Sequence, residues 1–211
     1  MLVAAQQLTR RGMTRTLCAL LAVTLIALST VNLPAHGSEP RVRLETSMGN
    51  ITLKLYPEKA PVTVANFLSY VDSGHYDGTV FHRVISNFMI QGGGFDTNLV
   101  EKPTNDPIPN ESRNKLHNIR GSIAMARTSD PDSAGAQFFI NQRSNLRLDW
   151  APGKPGYTVF GEVVDGMGVV DFIAVAKTGR ALATTSAGQA PMNDVPAEPI
   201  ILKRAVRVTT P

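Results

Sequence analysis

Hydrophobic and polar positions alternate over two stretches near residue 40. In RVRLE, Val42 and Leu44 share one parity, and in ITLKLY, Ile51, Leu53 and Leu55 do the same. Successive side chains of a strand point to opposite faces, so each run predicts a strand with one buried face. SMGN between them, with Gly49 and Asn50, predicts the tight turn of a hairpin. After Pro57 and Pro61 the period changes: Val64, Phe67, Leu68 and Val71 follow i, i+3, i+4, i+7 spacing, which predicts a helix that Pro61 opens and Gly74 stops. Val169, Phe172, Ile173 and Ala176 give a second helical stripe after Gly166 and Gly168. The remaining apolar runs are short and extended: TVFHRV, FMIQ, SIAMAR, AQFFIN, YTVFGEVV and the closing IILKRAVRV. Many short strands with only two helices predict a closed or sandwiched antiparallel sheet rather than alternating βαβ units. The stretch from Thr178 to Glu198, polar and rich in Gly, Ala and Pro, reads as a surface loop. IILKRAVRV after it returns as a last strand of the same sheet.

The first 37 residues follow a different pattern. Arg10, Arg11 and Arg15 precede the apolar run from Leu17 to Leu28, and small residues follow at Ala35 and Gly37. That order is expected of a cleaved signal peptide at 1–37, leaving one domain at 38–211 in the periplasm, or secreted from a cell with a single membrane. The run falls short of the roughly 20 residues that span a bilayer core, so no stable membrane insertion is expected after cleavage. The Arg10–Arg11 pair leaves the twin-arginine route open beside the general one, and Met13 is a second candidate start.

Setting the segment aside changes the charge. The formal +4 of the whole chain falls to about +1 over 38–211, with 18 basic and 17 acidic residues, which leaves no footprint for nucleic acid. The one cysteine, Cys18, lies inside the presumed signal, so the remainder has no disulfide, thiol nucleophile or thiolate metal site. His75 and His117 have no second histidine or carboxylate cluster at ligand spacing, so neither a metal nor a cofactor is expected. Gly92 to Gly94 lacks the GxGxxG pattern and a following lysine, and reads as a turn at a strand end.

Strand parity indicates where chemistry gathers. Phe81 with Arg83, Met89 with Gln91, and Gln137 with Phe139 are each expected on one face, while Phe138 and Ile140 turn into the core. His82 falls opposite Arg83, which favours a structural role over that of a general base. An apolar groove with an arginine and two glutamines suits an uncharged organic segment.

FHRVISNFMIQGGGF, GSIAMAR, SAGAQFFIN and YTVFGEVVDGM, in that order, resemble the cyclophilin-type peptidyl-prolyl cis/trans isomerases, above all the exported bacterial form. The resemblance runs from about Arg41 to Pro211. It implies a mainly β fold, an eight-stranded antiparallel β-barrel closed by two α-helices, with a substrate groove on its outer surface. It implies Arg83 as the catalytic residue. Substrate would be bound by Phe88, Met89, Gln91, Ala126, Arg127 through its main chain, Gln137, Phe139, Leu148 and Tyr157. The implied partners are proline-containing unfolded or flexible polypeptides, with no metal, and nothing requires more than a monomer. Two positions depart from eukaryotic members: Arg147 stands where they often have tryptophan, and Tyr157 where they have histidine. The first change implies weaker binding of cyclosporin, and Trp150, three residues on, is no replacement for the missing ring. The alternative function is a binding module or holdase chaperone that engages proline segments without turnover; no Ser, His and Asp arrangement supports a hydrolase.

Overall fold

The computed structural model describes residues 39–208; the expected signal peptide, with Cys18, lies outside the described residues. Eleven strands and two α-helices follow one another: β1 (Arg41–Thr46), β2 (Gly49–Leu55), α1 (Pro61–Asp72), β3 (Thr79–Val80), β4 (Arg83–Ile85), β5 (Met89–Gly92), β6 (Ser122–Met125), β7 (Phe138–Asn141), β8 (Val159–Asp165), α2 (Met167–Ala174), β9 (Thr178–Thr185), β10 (Gly188–Pro196) and β11 (Ile201–Val208). A single 3₁₀ turn, Leu146–Leu148, lies between β7 and β8.

Nine of the strands form one antiparallel sheet in the order β3-β11-β1-β2-β8-β6-β7-β5-β4. The strand count corrects the expected eight, and the closure differs too. β3 and β4 stand at opposite ends of this order, yet only Phe81 and His82 separate them in the chain. The sheet therefore curls until its two ends are joined covalently, without a ladder of hydrogen bonds across the seam. The run TVFHRV, expected as one strand, is the piece that splits there.

The seam overturns one parity expectation. Phe81 and His82 belong to no strand, so alternation restarts at Arg83: Phe81 is buried in the core at 1 % exposure, while Arg83 faces outward. The Phe81 amide donates to the Ile200 carbonyl at 2.9 Å and the Val80 amide to that of Phe95 at 2.9 Å, which satisfies the backbone where the ladder lapses.

The interior is filled from both sides. The alternating Val42, Leu44, Ile51, Leu53 and Leu55 of the first hairpin are all fully buried, as that pattern predicted. Its turn is Ser47–Met48, with Gly49 already pairing with Thr46 as the first residue of β2. α1 turns Val64, Phe67, Leu68 and Val71 inward, and Phe67 meets Tyr76, Phe138 and Phe160 at ring-centroid distances of 5.1 to 5.8 Å. The N-terminus of α1 is held by Glu111, whose carboxylate accepts from the Val62 and Thr63 amides at 3.2 and 2.8 Å. The fully buried residues of α2 are Val170, Ile173 and Ala174; of the expected stripe, Ile173 is buried and Val169 and Ala176 pack partly buried against the core. Phe172 points to solvent, 63 % exposed. The helix is too short for its periodicity to fix the buried face.

The expected surface loop at 178–198 is instead a hairpin, β9 paired with β10 in a separate two-stranded sheet. Its positions are mostly exposed on both faces, so it lacks the apolar alternation that marks a strand in sequence.

α2 enters through Gly166, which has φ +87°; a Cβ there would lie 2.9 Å from Ile51 Cα and collide with the Asn50 carbonyl. Gly166→Ala therefore combines a left-handed backbone with a steric clash against β2, and is expected to cost about 2 to 3 kcal/mol. Urea unfolding should show a lower midpoint at unchanged slope.

Candidate active site

The pleat of four neighbouring strands builds two rows of side chains. Val84 pairs with Ile90, Ile90 with Ile140 and Ile140 with Ile123, and all four are buried in the main core. One residue along, Arg83 pairs with Gln91, Gln91 with Phe139 and Phe139 with Ala124, forming the outer row. Cross-strand neighbours share a face, so the hydrophobic row inside dictates that Arg83, Gln91 and Phe139 stand side by side outside.

Around this row lies a second apolar cluster, of Met89, Ala124, Phe139 and Val159, with Ile85, Phe88, Leu116, Ala126, Leu148 and Tyr157 packed against it. A cavity of about 120 Å³ opens there, lined by Arg83, Phe88, Met89, Gln91, Ala126, Arg127, Phe139, Leu148 and Tyr157. The fold thus brings nine of the ten expected site residues to one pocket. The tenth, Gln137, is adjacent: Gln91 Nε2 donates to its Oε1 at 3.0 Å, and it lines a neighbouring hollow of about 230 Å³. Gly94 makes room for it, since a Cβ there would lie 2.7 Å from Gln137 Nε2. That close approach explains a glycine after the strand better than a phosphate loop does.

The walls are aromatic and cationic. Tyr157 meets Phe139 edge-on, ring centroids 5.6 Å apart. The Arg127 guanidinium stacks on Tyr157 at 4.5 Å and donates from Nη2 to the Pro155 carbonyl at 2.8 Å and from Nη1 to that of Thr128 at 2.9 Å. Its side chain is thereby committed to the rim of the pocket. Arg147 lies over Phe88 at 4.8 Å, so the residue noted for its departure from tryptophan still covers that ring. Trp150 is elsewhere, against Arg113 at 5.2 Å.

A buried amide network, missed by sequence reasoning, holds the floor. Asn145 Nδ2 donates to the Phe88 carbonyl at 2.9 Å and to Asn141 Oδ1 at 2.7 Å. Asn141 Nδ2 donates to Asn118 Oδ1 at 3.1 Å and to Ser122 Oγ at 2.9 Å. Asn118 donates through its amide and its Nδ2 to Asp149 Oδ1, at 2.7 and 2.9 Å. Phe88 and Leu148 are thereby fixed by Asn118 and Asn145, which read in sequence only as turn residues, and by Asn141 at the end of β7. Burial alone would raise the Asp149 pKa, but hydrogen bonds from Asn118 and His117 outweigh it and hold the carboxyl below its usual value.

The profile of the family described as "Cyclophilin type peptidyl-prolyl cis-trans isomerase/CLD" matches residues 41–205. The chain belongs to this family. It is 47% identical over 185 residues to peptidyl-prolyl cis-trans isomerase A of Dickeya dadantii, covering 87% of this chain and 93% of that protein. It is 53% identical over 154 residues to a peptidyl-prolyl cis-trans isomerase of Acinetobacter baylyi, covering 72% and 82%. Among solved structures, a cyclophilin-type isomerase of Cryptosporidium parvum superposes with a TM-score of 0.65 at 26% identity, covering 82% of this chain and 99% of that one. The protein is thus a cyclophilin-type peptidyl-prolyl cis-trans isomerase, with a curled antiparallel sheet and two helices.

His82, beside Arg83, is not part of the cyclophilin groove. It is 2 % exposed, packs on Phe95 at 4.7 Å, and its Nδ1 has no hydrogen-bond partner. Burial, with a smaller contribution from the Arg83 charge, pushes its pKa from 6.5 down to about 4. Between those values the unfolded chain binds the proton and the folded one does not, so stability falls as pH drops from 6.5 towards 4. The full loss is about 3 kcal/mol. Asp149 adds its loss only below 3.8, as its lowered carboxyl is protonated. Thermal midpoints of His82→Gln should decline less from pH 6.5 to 4.5 than those of the unaltered chain, the remaining decline coming from His75, whose pKa burial also lowers from 6.5.

Proposed function

We propose that Arg83 is the catalytic residue of this isomerase and that the groove around it grips the proline of a client chain. The observation that carries this reading is the in-register row of Arg83, Gln91 and Phe139 over one pocket. A peptide bond resists rotation by about 18 to 20 kcal/mol because the nitrogen lone pair is delocalised into the carbonyl, and X-Pro bonds isomerise in tens to hundreds of seconds. In the twisted state the prolyl nitrogen becomes pyramidal and recovers that lone pair. A guanidinium N–H donates to it there and finds no such acceptor in the planar ground state, which is selective stabilisation of the transition state. Phe88, Met89, Phe139 and Leu148 hold the ring, Tyr157 and Ala126 wall it, and Gln91, Gln137 and the Arg127 backbone hold the flanking peptide groups while the preceding acyl group turns. A 10⁵-fold gain needs roughly 7 kcal/mol. One charge-assisted bond supplies about 1.5 to 3 kcal/mol, so orientation in the pocket supplies the rest.

The Cryptosporidium relative has also been solved in the presence of the dipeptide Ala-Pro, which supports a groove of this shape as a proline site. In an assay of a short Xaa-Pro peptide, Arg83→Ala is expected to lose turnover about 100-fold while peptide affinity stays within a few-fold. Arg83→Lys is expected to remain at least about 10-fold slow, because an ammonium lacks the planar fork. Full activity in the alanine variant would remove Arg83 from its role.

The arrangement of 1–37 supports a periplasmic protein, and the isomerase activity there suits assistance to the folding of exported, proline-containing chains; nothing in this role requires more than a monomer. Expressed from Met1, the protein should be recovered outside the cytoplasm with Ser38 as its first residue by N-terminal sequencing. Recovery of the full-length chain in the cytoplasm would count against export.

A further inference from the structure

Arg83 is met from outside the nine-stranded sheet. Asp194 of β10 places its Oδ2 3.6 Å from Arg83 Nε, with the two side chains 41 % and 40 % exposed. This carboxylate comes from the hairpin that reads in sequence as a loop. Met192 pairs with Ala181 and Val195 with Gly179, so Asn193 and Asp194 together oppose Arg180. Two residues facing one is a β-bulge, a device that re-aims a side chain. Asp194 also has φ +61°, a left-handed conformation that aspartate and asparagine tolerate better than other side chains do.

The hairpin is fixed rather than free. Ala183 and Met192 pack with Val80 and Phe95, the Thr184 amide donates to the Leu99 carbonyl at 2.9 Å, and the Glu101 amide to the Thr184 carbonyl at 2.8 Å. β10 runs beside β4, the strand that carries Arg83. An ion pair this exposed contributes little to stability, so stability does not account for a bulge and a left-handed residue spent on it.

We propose that Asp194 is a positioning residue for catalysis: it holds the Nε edge of Arg83 and so aims the Nη groups at the pocket. The guanidinium is planar, so fixing one edge fixes the direction of the others. Arg83 lines the pocket beside Gln91 and Phe139, while Asp194 does not line it and so acts through the arginine. The proposal rests on Arg83 being catalytic.

The test is a cycle of Asp194→Asn, Arg83→Ala and the double variant, with kcat and KM measured separately on a short Xaa-Pro peptide. Asparagine keeps the left-handed backbone and removes the charge. Asp194→Asn is expected to lower kcat about fivefold with KM within twofold and an unchanged thermal midpoint, because misaimed catalytic groups lose rate before they lose binding. In the Arg83→Ala background it should change nothing further. High salt, which screens an exposed pair, should bring the unaltered enzyme towards the variant's kcat. Asp194→Gly, which relieves the backbone while deleting the carboxylate, should reproduce the kcat loss and guards against a folding defect in the first variant. An unchanged kcat in Asp194→Asn, or an equal loss with and without Arg83, overturns the proposal. Full activity in Arg83→Ala would instead defeat the catalytic reading of the arginine itself.

Discussion

The groove depends on the register of four neighbouring strands. Val84, Ile90, Ile140 and Ile123 bury one face, and that burial fixes Arg83, Gln91, Phe139 and Ala124 on the other. A slip of one residue would exchange the two rows and place a guanidinium in the core, a cost that no alternative pairing offsets. The site is therefore specified by packing that never touches a substrate.

The seam between β3 and β4 makes this arrangement possible. With Phe81 in the core, uninterrupted alternation would have turned Arg83 inward as well; two residues outside the ladder reset the direction. The cost appears at His82, buried with an unpartnered nitrogen. On the opposite wall, the amides of Asn118, Asn141 and Asn145 tie the Phe88 carbonyl and the turn bearing Leu148 into one network. The pocket is thus bounded by a covalent seam on one side and a saturated polar network on the other, so its shape does not wait on a ligand.

Much of this was legible in the sequence because the signals are local. Alternation in β1 and β2 and the stripe of α1 marked their buried faces, and the site residues lie within short motifs. What was not legible depends on distant partners. Asn118 and Asn145 look like turn residues, and Asn141 like the end of a strand, until the fold brings them together. β9 and β10 carry no apolar period because both their faces are largely wet. The seam was hidden because TVFHRV has the composition of one continuous strand, and only the return of β11 beside β3 shows where it must break.

The hairpin's independence has a consequence for diversity. Its strands pair with each other rather than within the nine-stranded sheet, yet one of them reaches the flank of the groove. Such an appendage behaves as an interchangeable cassette. Apart from Asp194 and the packed Ala183 and Met192, its length and charge can be rewritten in a laboratory without breaking a ladder of the main sheet. Beyond those anchors, one flank of the groove tolerates changes that the core forbids to the other.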